Sequence, residues 1–507
     1  MLLYSPLPRI SEDLIMHRPL RAILVLLAML VAAVSTSVAQ RLEQTSPFSV
    51  RLSPDLMQPS QAGTALEQEA QSGCPQCTME LNFWRGAWEL MVVQLIPWSV
   101  NRILRDAEWA AISPASWARN LENPWKWDNN AFTNNQFSHP YHGNLYFNAG
   151  RANGFNFWTS VPWAFGGSLM WELFGEVWAP APNDLLNTSL GGIALGEMLW
   201  RTSSLTLDNT ATGTERGFRE AAALVLNPVR GFNRLLDGQM NDVTQNPPDW
   251  RPSQNRASLD FGYRGTTGDI GDVPSQSADQ WFVQLDLDYG DSVDDLDKSP
   301  FSYMELTIAI AERVGDARTL QDLRARGSLG ALTLKETGSV VHRLAGYMTY
   351  DYYGQPSFEF GGQGFQGGLV SRFGGRAGVR LHTELLGLMQ PVAALKSDYF
   401  LSIEGRDYDY GLSFGGRALA RVTKQGLGFV EANGYYIWTP VLSGFNGEHN
   451  QFAGTVEAKI YPLANRVGVG GSVTWYHRKS LYDAFDDVTR DGTQTRLFLA
   501  LSIPRWN

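Results

Sequence analysis

The sequence predicts an α+β protein: a C-terminal antiparallel, transmembrane-type β-barrel of about 12 strands, with an N-terminal helical segment that plugs or caps it. Three observations predict this. An export signal opens the chain, residues 79–240 place apolar residues at the helical period, and from about residue 250 the period becomes two.

Composition narrows the function classes. The chain has 507 residues, is 44% hydrophobic and 18% charged, and carries a net charge of −10 with two cysteines. That is too apolar for a disordered chain and too poor in cysteine for a disulfide scaffold. With no basic excess there is no field to hold a nucleic-acid backbone, so no nucleic-acid partner is expected.

Arg18 and Arg21 precede the apolar run Ala22 to Val34, and small residues follow up to Ala39. This is the pattern of a cleavable signal peptide over 1–39, with Met16 as an alternative start. Residues 40–78 read as a flexible leader rich in Ser, Gln and Pro, ending at Cys74 and Cys77, a local disulfide or an inert turn. The helical segment 79–240 follows. Leu81 to Asp106 reads as a helix that Pro97 kinks or splits, and a Trp- and Asn-rich loop runs from about Asn120 to Asn135. Phe155 to Val177 reads as a second helix, interrupted near Pro162. Asn183 to Arg201 reads as a third, capped by Asn183 or Asp184. Thr214 to Leu236 reads as a fourth, broken at Asn227-Pro228.

The barrel is expected over 250–507. In the run Trp281 to Tyr289 one face holds Trp281, Val283, Leu285, Leu287 and Tyr289, and the other holds Phe282, Gln284, Asp286 and Asp288. A strand between lipid and a watery lumen needs those two faces. Met304, Leu306, Ile308 and Ile310 repeat the pattern, as do Val379, Leu381 and Leu385 against Arg380, His382 and Glu384. The last strand, Arg496 to Trp506, is amphipathic with an aromatic near its end. Outer-membrane lipid is therefore the expected partner, and the outer membrane of a Gram-negative-type bacterium the expected location.

The densest chemistry lies between Asn135 and Arg234. It comprises Ser138-His-Pro-Tyr-His-Gly143, Ser160 to Ser168, Trp171-Glu-Leu-Phe-Gly-Glu176, Asn183 to Thr188, Gly191-Gly192, Gly196-Glu197 and Asn227-Pro-Val-Arg-Gly-Phe-Asn-Arg234. Over roughly residues 120–240 this ordered series resembles a bacterial family known only as domain of unknown function 3943. The resemblance implies neither an activity nor a catalytic residue.

Read for chemistry, His139 and His142 could reach one ion if their loop curls, and Glu172 with Glu176 would share a helix face. His139, His142, Glu172 and Glu176 are thus candidate ligands for a divalent metal. With Asp184, Glu197 and Arg201 they form the candidate catalytic set of a cell-envelope enzyme. A lipid-hydrolase triad of Ser168, one of the histidines and Glu172 is a further scheme. The structural alternative is a satisfied hydrogen-bond and ion-pair network, in which Glu197 and Arg201 are an ordinary i,i+4 pair. Gly361 to Gly368 reads as a turn or a crowded strand rather than a phosphate loop. The leading function is a barrel that binds or passes a small solute or lipid, and a scaffold docking through Trp117–Trp127 is a third.

Overall fold

The computed structural model describes residues 80–269, 278–312, 320–355, 358–374, 378–399, 406–463 and 466–503. The signal peptide, the leader with Cys74 and Cys77, and Trp506 lie outside them. Among the described residues the helices are α1 (Phe83–Ser99), α2 (Pro114–Glu122), α3 (His139–Arg151), α4 (Phe157–Met170), α5 (Pro182–Leu186), α6 (Gly192–Thr206), α7 (Gly213–Leu226) and α8 (Pro228–Leu236).

Local signals account for most boundaries. The Asn82 side chain caps α1 by accepting from Arg85 N at 3.0 Å, and Asn156 does the same for α4 at Thr159 N. Pro97 does not split α1; the chain runs on as a π-helical turn, Val100–Leu104. The expected third helix is two, α5 and α6, separated by the π-helical turn Asn187–Gly191. Its cap position falls on Ala181, which frees the Asn183 and Asp184 side chains for other contacts. The segment read as a loop around Pro140 is helix α3. Proline sits in its first turn, where a missing N–H costs nothing.

Among the described residues twelve antiparallel strands form a closed barrel. They are β1 (Asn255–Gly268), β2 (Ala278–Tyr289), β3 (Met304–Ala311), β4 (Leu320–Glu336), β5 (Val340–Gln355), β6 (Phe358–Gly374), β7 (Val379–Lys396), β8 (Tyr408–Lys424), β9 (Gly428–Ser443), β10 (Gly447–Leu463), β11 (Val467–Tyr482) and β12 (Val488–Ile503). β1 pairs with both β2 and β12, with Asn255 opposite Tyr289 and Ala257 opposite Ile503. An even strand number brings both termini of the barrel to one rim, here called the entry rim.

The two faces separate as the alternation predicts. Outward positions on neighbouring strands match in register: Phe261, Leu499, Val469 and Ile460 form one exposed apolar row. Tyr263, Trp281, Phe414, Tyr436, Trp438 and Phe452 are exposed on the same face in the half remote from the entry rim. Inward positions carry Asp286, Glu305, Arg324 and Arg417.

The helices do not plug the lumen, which corrects that part of the expectation. Every residue lining the central cavity belongs to 254–503. The helical segment packs instead on the outer face of β2 to β8. Phe132, Phe147, Ile193 and Met198 pack there with Leu287, Leu323, Met348, Tyr350 and Tyr410. Tyr350 donates to Gln136 O at 2.6 Å and Tyr408 to Asn130 O at 2.8 Å. The physical reason is polarity matching. Apolar helix faces find their complement on the apolar outer wall, whereas the lumen wall around its cavity is rich in charge.

The segment that does enter the barrel is the first part of the β2–β3 connection, around residues 293–297, while Pro300 and Phe301 turn back to the outer helices. Its Val293 and Leu296 pack against Val341, Tyr347, Val370 and Leu386 on the lumen wall. Arg372 holds Asp294 at 2.7 Å and Arg343 holds Asp297 at 2.8 Å.

Candidate functional site

Among the described residues two large cavities stand out, one on the outer flank within the helical segment and one in the lumen. The flank cavity, about 1360 Å³, contains most of the residues singled out in the sequence. α3 supplies His139 and His142. The spacing sends them different ways: His139 Nδ1 meets Thr188 Oγ1 at 3.2 Å and its Nε2 lies 3.8 Å from Asp184. His142 instead meets Val93 O and Tyr146 Oη, each at 3.3 Å, and stands edge-on to the Trp171 ring.

Glu172 and Glu176 do not share a helical face. Glu172 lies in the π-helical turn Trp171–Gly175, while Glu176 follows it with extended backbone. Glu172 accepts from Ala181 N at 2.8 Å. Asp184 accepts from Asn183 at 2.7 Å, and Asn183 is itself engaged with Asp128 N and Tyr410. Among the described residues no three of these groups assemble as a metal-binding set. Ser168 Oγ contacts Leu185 O at 3.4 Å rather than a histidine, so the proposed triad does not form there.

Burial is the largest influence on these acids. It pushes Glu172, Glu176 and Asp184 well above the usual carboxylate range, and their mutual repulsion with Asp128 adds to it. The His142 imidazole is held down to about 4, again chiefly by burial. The acids cost stability as pH rises from about 4, where the unfolded chain ionises, through their raised folded-state values. His142 works oppositely, costing stability as pH falls from 6.5 through about 4. Glu176→Gln is therefore expected to stabilise the helical segment by about 1 kcal/mol at pH 8 and to leave it unchanged at pH 4. Urea titration of the full chain, followed by near-ultraviolet circular dichroism at both pH values, checks this.

Glu197 and Arg201 lie elsewhere. Glu197 is fully buried on α6 and receives Arg151 at 2.7 Å and Arg201 at 2.9 Å. Arg201 also donates to Pro300 O at 3.0 Å, which ties α6 to the β2–β3 connection. In the Asn227-to-Arg234 motif, Asn227 caps α8 through Arg230 N and donates to Asn148 at 2.8 Å. Arg230 lies 4.2 Å over the Trp200 ring, and Arg234 is paired with Glu220 at 2.7 Å. The motifs thus tie α3 to α6 and to the start of α8, and α7 to α8. Residues 124–229 match domain of unknown function 3943.

No curated protein matches the chain. Among solved structures it is similar to the NanC porin, at 6% identity and TM-score 0.27 over 48% of this chain and 98% of that one. It is also similar to an outer membrane channel from Pseudomonas putida F1, at 12% identity and TM-score 0.27 over 51% and 99%. An anion-selective porin from Comamonas acidovorans matches at 8% identity and TM-score 0.20, over 49% and 99%. Such low scores carry no argument; the strand pairing itself shows the barrel.

The lumen cavity, about 810 Å³, is lined by six arginines and two lysines against four aspartates and three glutamates. Its wall reaches the entry rim at Asn255, Arg380, Lys424 and Ile503. Toward the far end lies a layer of buried polar side chains. Arg264 donates to Gln280 at 2.9 Å, Gln494 to Gln355 at 2.9 Å, and His449 meets Asp409 at 3.1 Å. The lumen is therefore a vestibule that narrows into a hydrogen-bonded layer.

Sequence reading missed several participants in the 3943 segment and beyond. Asp128 lines and charges the flank cavity, Arg151 completes the Glu197 pair, and Asn135 joins the segment to Tyr408 and Tyr410 at 2.8 Å each. The aspartate within the Trp- and Asn-rich loop was the available signal for the first. The others pair across 46 to 275 positions, a distance no local pattern encodes.

Proposed function

We propose that the chain is an integral β-barrel of a bacterial outer membrane whose lumen takes up small, multiply charged solutes from the entry rim. The observation that carries this is the inversion of polarity across the wall. Exposed leucine, valine and isoleucine rows with a set of aromatics cover the outside where the helices leave it free, and a nearly balanced set of basic side chains and carboxylates covers the inside. Lipid outside and water inside is the environment that rewards such a wall. A lumen with both charges favours solutes that carry both, or several, over simple ions.

Two measurements test it. Protein from the outer-membrane fraction is expected to change gel mobility on boiling; unchanged mobility, with the chain in the soluble periplasm, removes the membrane reading. In planar bilayers the parent is expected to conduct weakly, because the layer around Arg264 fills the far end. Arg264→Ala combined with Gln280→Ala is expected to raise conductance several-fold, and no increase would argue that this layer does not limit passage.

A further inference from the structure

The flank cavity has no role in the lumen reading, and its walls and floor are chemically unlike each other. Five tryptophans line it: Trp88, Trp109, Trp127, Trp171 and Trp178. Trp88 and Trp178 are exposed at its edge, while Trp109 and Trp171 pack at 5.8 Å deeper in. The floor is acidic. Asp128, Glu176 and Asp184 line it, with Glu172 just behind.

Among the described residues no lysine or arginine forms an ion pair with any of these four acids, although Arg105 and Lys126 also line the cavity. Asp184 is 3% exposed, and among the described residues its contacts with Asn183 and His139 are both made by Oδ1. The Glu176 carboxyl has no hydrogen-bond partner among the described residues. Burial favours the protonated forms of these acids, and an occupant that brings a positive charge would favour the carboxylates. The absence of a three-ligand cluster among the described residues speaks for an organic cation over a metal ion. Aromatic walls do so too, since tryptophan faces attract ammonium groups.

We propose that the flank cavity binds an amphipathic organic cation, its ammonium group set over the Asp128–Glu176–Asp184 floor and its apolar body among the tryptophans. The site is independent of the lumen and stands on its own geometry. An apolar body suits a cavity whose edge is formed by exposed Trp88, Ile96, Trp178 and Phe232 on the outer flank of the barrel.

Three probes with one tail and different heads test this on the full chain in nonionic detergent: octyltrimethylammonium, 1-octanol and octyl sulfate, each below its micelle concentration. Tryptophan emission is expected to respond saturably to octyltrimethylammonium, with affinity about tenfold tighter than for the other two. Asp184→Asn and Glu176→Gln are each expected to weaken the cation severalfold and leave octanol unchanged. Trp171→Ala is expected to weaken all three probes. Equal affinity for the three heads would overturn the proposal, as would a cation affinity unmoved in both acid variants. Glu176→Gln breaks no hydrogen bond, so it remains decisive if Asp184→Asn fails to fold.

Discussion

Glu197→Ala is expected to destabilise the helical segment by about 3–5 kcal/mol, the usual cost of stranding buried charge. Glu197 is fully buried and is the shared acceptor of Arg151 Nε, at 2.7 Å, and Arg201 Nε, at 2.9 Å. Arginine keeps its charge at every accessible pH, so neither guanidinium escapes by losing a proton. Arg151 also stacks 4.8 Å over Trp200 and Arg201 reaches Pro300 O, so both are held where solvent cannot replace the lost carboxylate. A sharper outcome follows from the same physics. Replacing Arg151, Glu197 and Arg201 together by methionine, leucine and methionine should cost less than Glu197→Ala alone. Denaturant midpoints of the full chain in detergent check both. A loss below about 1 kcal/mol for Glu197→Ala would mean that the pair is hydrated in solution.

Gly192→Val is expected to cost about 3 kcal/mol or more and to separate α3 from α6. A Cβ at Gly192 would lie 2.4 Å from the Gly143 carbonyl carbon, and one at Gly143 would lie 1.8 Å from Thr188 O. Both obstacles are backbone, so no side chain can turn aside. The barrel closes through its own strand pairs, and the variant should keep its boiling-dependent mobility while α3 and α6 lose amide-exchange protection. Retained protection would show that the two backbones can part without cost. The sequence marks these glycines only as members of a motif. Their reason, contact between two helix backbones, becomes visible once the helices are placed.

The barrel was legible because its strands carry a physical signature every second residue. Trp281 to Tyr289 reads as two-faced, and those faces are the outer wall and the lumen. The candidate site was legible only in part. His139, His142, Glu176 and Asp184 do line one cavity, yet the helix-face argument for Glu172 and Glu176 fails because a π-helical turn ends the helix between them. π-helical turns have no clear sequence signal, and four of them shift side-chain directions here.

The sequence by itself determined the change from a helical segment to a strand segment, the two-faced character of strands such as Trp281 to Tyr289 and the order of the motif series. Those properties follow from local periodicity and side-chain chemistry along the chain. Only the tertiary structure decided where the helices go, which segment enters the lumen and which acids share a cavity. The polarity of the wall excludes apolar helices from the lumen and admits the aspartate-rich β2–β3 connection, whose Asp294 and Asp297 meet Arg372 and Arg343 there. Such choices depend on matching surfaces far apart in the chain, and the match exists only after the barrel has closed.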